Sequence, residues 1–107
     1  MASIAKLIKA HRTEFGMNQT EFGLLVDLIM TDISKIENNK KKFPFDKLEK
    51  LSSTLKMDFT ELKNIYVAER LVREAHKYNC PDTVFAIAEN QSKYMRNKQL
   101  KQGKMNF

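Results

Sequence analysis

Thr31 and Lys35 stand four residues apart, with Met30 beside the first of them. On a helix such a pair shares one face. A lysine ammonium in that place can donate to the O6 and N7 of guanine, and a methionine side chain and a threonine methyl can rest on thymine methyls. Asp32, between them, can accept from a cytosine amine or pair with Lys35. Lys40, Lys41 and Lys42 follow shortly after. Asn18 and Gln19 precede the group, where the free amides of a helix start would suit a phosphate. Lysines just past a helix suit phosphates too. The plainer readings are an ordinary polar helix face for Thr31 and Lys35, and a solvated loop for the lysine run.

Other chemistry has little support in the residues. Two histidines far apart and one cysteine do not make a metal site, and a single thiol rules out an internal disulfide. His11 falls on an inner helix stripe and reads as a half-buried packing residue. His76 reads as a surface residue, and Cys80, beside Pro81, as a small semi-buried apolar one. Glu37 lies next to apolar positions and reads as a partner for a backbone amide or a basic side chain. There is no nucleophile elbow, phosphate-cradling glycine loop or paired-carboxylate motif. No catalytic residue, cofactor or small-molecule substrate is expected.

The elements that must position these side chains are helical throughout. Ile4, Leu7, Ile8, His11 and Phe15 recur at spacings of three and four, with Ser3 to cap the start and Gly16 to end the helix in a left-handed turn. Asn18 and Glu21 form a capping box, with Met17 and Phe22 as its hydrophobic staple. The second helix so defined runs from about Gln19 to Val26 and buries Phe22, Leu25 and Val26. Ile33 and Ile36 anchor a third, from about Met30 to Asn38, which the Asn-Asn pair and Pro44 end. Leu48, Leu51 and Leu55 mark a fourth. Asp58, with Glu61 three residues on, starts a longer fifth helix that Cys80 and Pro81 break. Val84, Phe85, Ala88 and Tyr94 or Met95 suggest a sixth. The second and third helices have about two turns each and could not persist alone. Joined by about three residues, Asp27 to Ile29, they must pack steeply on the rest, as in a helix-turn-helix. The third helix then fits a major groove, with its first residues at the base edges.

The stretch "NQTEFGLLVDLIMTDISKIENNKKKFP", from Asn18 to Pro44, resembles the Cro/phage-repressor (Xre-type) helix-turn-helix domains. The shared features are Gln19 near the start of the second helix, "ISKIE" at Ile33 to Glu37, and "NNKKK" at Asn38 to Lys42. Asp27 stands where that family's turn usually has glycine, and Ile29 where it often has a Ser or Thr cap. Capping is then expected to fall to Thr31. The resemblance runs from about Ile4 to Leu62. It implies base reading by Met30, Thr31, Asp32 and Lys35, and phosphate contacts by Asn18, Gln19, Ser34, Asn38, Lys40, Lys41 and Lys42. It implies a sequence-specific transcriptional regulator, a repressor or a restriction–modification controller, acting on double-stranded DNA. A protein-binding adaptor or antitoxin of the same fold, without specific DNA reading, is the alternative.

The bulk properties agree with that reading. The chain has 107 residues, 42% of them hydrophobic, so a packed core is possible. Its formal charge of +6 fits an anionic partner. The opening "MASIAKLIKAHR" reads as neither signal peptide nor membrane anchor, so a soluble, cytoplasmic protein is expected. The predicted fold is all-α: a five-helix repressor-like helix-turn-helix domain over residues 1–64, an extension over 65–97, and a basic flexible tail over 98–107. Tyr66, Leu71, Val84, Phe85, Ile87 and Tyr94 are more than one small domain obviously buries. The plainer reading is that they extend the monomer's core, and the favoured one is that they join a homodimer through the extension.

Overall fold

The computed structural model describes residues 3–102. Six α-helices and no strand occur among them: α1 (Ile4–Glu14), α2 (Gln19–Val26), α3 (Met30–Glu37), α4 (Leu48–Leu55, entered through a turn of 3-10 helix at Phe45–Lys47), α5 (Phe59–Lys77) and α6 (Thr83–Gln102). The fold is all-helical, as the periodicity predicts. The chain divides into two compact units, the first ending at Arg70 and the second beginning at Leu71, so the division falls inside α5.

Local chemistry sets the helix ends. The Ser3 hydroxyl accepts from the Lys6 amide at 3.2 Å, and the Asn18–Glu21 box closes in both directions, at 2.7 and 2.9 Å. The Asp58 carboxylate accepts from the Glu61 amide at 3.1 Å. Each of α1 to α5 stops at a left-handed residue: Gly16, Asp27, Asn39, Lys56 and Asn79, with φ between 55° and 63°. At α1 the Met17 amide reaches back to the Arg12 carbonyl at 2.8 Å, and at α3 the Lys40 amide reaches the Lys35 carbonyl at 2.8 Å. These bonds satisfy carbonyls that the helix leaves open. Thr31 does not cap α3. Ile29 occupies that position, with no side-chain bond to the helix, so α3 starts at Met30 without a side-chain cap.

In the first unit, Ile4, Ile8, Phe22, Val26, Ile33, Ile36, Phe43, Leu48, Leu51, Leu62 and Tyr66 make one core. Full burial of a side chain the size of Leu or Ile stabilises by about 2 kcal/mol, so this core offsets the low stability of eight-residue helices. Three expectations change here. Leu25 is 45% exposed, because a two-turn helix wedged on α3 and α4 turns only a narrow stripe inward. Phe15 is 57% exposed, at the end of α1, where its ring lies 4.5 Å from that of His11. Tyr66, grouped by sequence with the dimer residues, is 4% exposed, and its hydroxyl donates to the Phe43 carbonyl at 2.6 Å. It is a core residue of this unit.

In the second unit, the end of α5 and the start of α6 are joined by residues 78–82. Ala75 is buried and Val84 and Phe85 are half-buried, while Leu71, Tyr78, Ile87, Tyr94 and Met95 are exposed. The helix α6 continues past Lys98 to Gln102, so residues 98–102 are helical where a flexible tail was expected. Residues 103–107 of that expected tail lie outside the described residues.

Candidate nucleic-acid interface

The α2–α3 corner depends on a glycine inside α2. A Cβ on Gly23 would lie 2.2 Å from the carbonyl oxygen of Leu28, a backbone atom that cannot swing aside. The absent side chain lets the turn fold flat against α2, and the Leu28 amide then donates to the Gly23 carbonyl at 2.9 Å. Asp27 takes the left-handed position of the turn with φ 59°, and its carboxylate pairs with Lys50 of α4. That hydrogen bond, more than the accompanying attraction, holds the Asp27 carboxyl below its ordinary pKa.

A buried charge pair locks the three helices. Glu37, at the end of α3, has a side chain only 1% exposed. Arg12 of α1 grips it with two bonds, Nε to Oε2 at 2.8 Å and Nη2 to Oε1 at 2.9 Å, and donates a third to the Met17 carbonyl at 3.2 Å. Gln19, the first residue of α2, adds a bond from Nε2 to Oε1 at 3.2 Å. Burial alone would raise the Glu37 carboxyl. The bonds from Arg12 and Gln19, with the nearby positive charges of Arg12 and Lys9, outweigh it and hold the group below its ordinary pKa. The same hydrogen bond keeps the Arg12 guanidinium more firmly protonated than usual, against the opposing effect of burial. Glu37 is thus the partner of a basic side chain, as expected, but Arg12 carried no signal in the sequence.

With Ile33 and Ile36 fixed inward, α3 turns Met30, Thr31 and Lys35 outward, with Asp32 and Ser34 half-exposed beside them. All four predicted base-reading residues therefore fall on or next to the outward side. Asp32 pairs with Lys41 at 2.7 Å, whereas the sequence suggested Lys35. The side-chain ammonium groups of Lys35, Lys40 and Lys42 have no partner among the described residues, unlike that of Lys41. The lysine run is not a loose loop. Asn39 fixes one end in its left-handed turn, and Phe43, 2% exposed, plugs the other into the core.

The amide-bearing residues have internal partners. The Asn18 side chain is taken up by its capping box. The Asn38 side chain donates to the Ser34 carbonyl at 2.9 Å, and Gln19 is held by Glu37. Asn18 and Asn38 nevertheless stay exposed, and Gln19 half-exposed, on the side of each helix end that meets solvent.

A family model described as helix-turn-helix matches residues 8–62, just over half of the chain. The match takes in α2, α3 and α4 whole. The chain belongs to the Cro/repressor-type, Xre-like helix-turn-helix family. No curated protein matches the chain. Membership of the Xre-like family supports a DNA-binding regulator. Among the described residues no helix is long and apolar enough to cross a membrane, and no group of His, Cys, Asp and Glu could hold a metal ion.

Proposed function

We propose that this chain is a sequence-specific transcriptional regulator that binds duplex DNA as a homodimer, with α3 entering the major groove. The observation that carries the reading is the division of α3. Ile33 and Ile36 are sealed into the core, while Met30, Thr31 and Lys35 stand outward, flanked by the anchored lysine loop. Lys35 donates to guanine, and Met30 and Thr31 meet thymine methyls. Asp32 lies at the groove edge, where its second carboxylate oxygen accepts from an amino-bearing base. Lys40, Lys42 and the exposed groups of Asn18, Gln19, Ser34 and Asn38 bind phosphates and set the register.

The homodimer rests on α6. From Ala86 to Lys98 every residue of that helix is exposed, including Ile87, Tyr94 and Met95. A single helix so exposed has little packing to stabilise it. A second copy would cover its apolar side, and a two-fold pair of reading helices suits two half-sites, which on B-DNA lie about 34 Å apart, one turn. Selection of bound duplexes from a random pool tests the proposal. The expected product is a two-fold symmetric pair of half-sites at that spacing. Binding with no preferred sequence would overturn it.

A second reading, a protein-binding module of the same fold, draws on Leu24 and Ile29 at the α2–α3 corner, 76% and 67% exposed. The same selection separates the two, since such a module yields no consensus.

A further inference from the structure

Asp32 places a negative charge on the helix proposed to approach a polyanion, and its carboxylate is engaged. Lys41 Nζ donates to Asp32 Oδ1 at 2.7 Å, across nine residues, with the two side chains 44% and 23% exposed. Lys41 is the middle of three consecutive lysines, and the ammonium groups of its neighbours Lys40 and Lys42 have no partner among the described residues. The loop is pinned by Asn39 and by the buried Phe43, so the reach of Lys41 toward α3 is fixed by the fold.

We infer that Asp32 is a specificity-determining residue acting through Lys41: its carboxylate stands in for a phosphate and withholds one sequence-independent contact from the basic loop. This rests on the DNA-binding reading above. Phosphate contacts supply nearly all non-specific affinity, whereas sequence choice depends on the ratio of specific to non-specific binding. A lysine held by the protein itself adds nothing to binding on random DNA. Transfer of Lys41 to a phosphate would leave Asp32 unpaired beside the backbone, so the exchange gains little. The pair also neutralises Asp32, which lets α3 approach the groove without a bare charge at its first turn.

The test is the salt dependence of binding to a short duplex of random sequence, measured by fluorescence anisotropy for the full chain. Asp32→Asn keeps the side-chain shape and releases Lys41. Its log–log salt slope is expected to steepen by about 0.9, one phosphate contact. Between roughly 200 and 50 mM salt, that makes its affinity gain over the wild type grow about 3.5-fold. Lys41→Gln alone is expected to leave the slope almost unchanged, and in the Asp32→Asn background it should abolish the gain. An unchanged slope for Asp32→Asn overturns the inference. So does a gain that survives in the double variant, which would be a mere effect of net charge, and so does loss of a full contact in Lys41→Gln alone. Absence of wild-type binding at any salt would instead refute the DNA-binding reading, and this inference with it.

Discussion

Glu37→Gln is the sharpest test of how α3 is held. The substitution keeps the shape of the side chain and removes its charge. Glu37 accepts three bonds, two from Arg12 at 2.8 and 2.9 Å and one from Gln19 at 3.2 Å. A glutamine offers one oxygen, and its amide nitrogen faces a guanidinium that can only donate. Hydrogen bonds to a charged group contribute about 1.5–3 kcal/mol each, and breaking a buried pair on one side costs about 3–5 kcal/mol. Arg12 is 23% exposed, so water recovers part of that loss. A net cost of about 2–3 kcal/mol follows, which lowers Tm by about 10 °C or more in a domain of this size. The pH dependence gives a second readout. The folded-state pKa of Glu37 lies below its ordinary value of 4.5. The stability it contributes is therefore complete above that ordinary value and is lost as pH falls from there toward the lower folded-state value. A protonated Glu37 resembles the glutamine, so wild-type and variant stabilities should differ at neutral pH and converge in acid. Thermal melts followed by circular dichroism across that range check both. A Tm drop below about 3 °C at neutral pH, or two parallel stability–pH curves, would refute the reasoning.

Gly23→Ala should cost about 3 kcal/mol, since its methyl would meet the Leu28 carbonyl, and urea midpoints would show it. Lys35→Ala should lose about 1–3 kcal/mol of discrimination at one base pair, read by competition between the selected site and its single-base variants. Equal weakening on every sequence would make Lys35 a phosphate contact instead. If the proposed homodimer forms through α6, Ile87→Glu with Tyr94→Lys should convert it to monomer in analytical ultracentrifugation, with the helical circular dichroism largely retained.

What the sequence made legible was mostly local. The Asn18–Glu21 box, Ser3, Asp58, Gly16 and Asn39 act within four residues of where they stand, so spacing alone exposes them. The inward stripe of α3 was equally plain, because two isoleucines three apart have only one way to be buried. The long-range partners were not. Arg12 lies 25 residues from Glu37, and Lys41 nine from Asp32, and no periodicity connects them. No spacing marks Gly23, because its function is to make room for an atom of another segment. Phe43 was hidden by the lysines before it and the proline after it. Lys56, with φ 56°, took a left-handed turn that lysine does not advertise. Phe15, Leu25 and Tyr66 were misplaced because spacing identifies a face, and only packing decides how far that face is covered.

The left-handed residues at the ends of α1 to α5 have a consequence for how the chain tolerates change. Only Gly16 adopts that conformation without a side chain. At Asp27, Asn39, Lys56 and Asn79 the backbone carries a local penalty of about 1 kcal/mol each, borne by the packing on either side. Glycine at those joints would relieve strain in the native state while loosening the unfolded one, so the two effects nearly cancel. A β-branched residue would meet the full steric cost. The corners are thus where mutation is most sharply filtered by residue shape, and the solvent faces of the helices are where variation is cheapest.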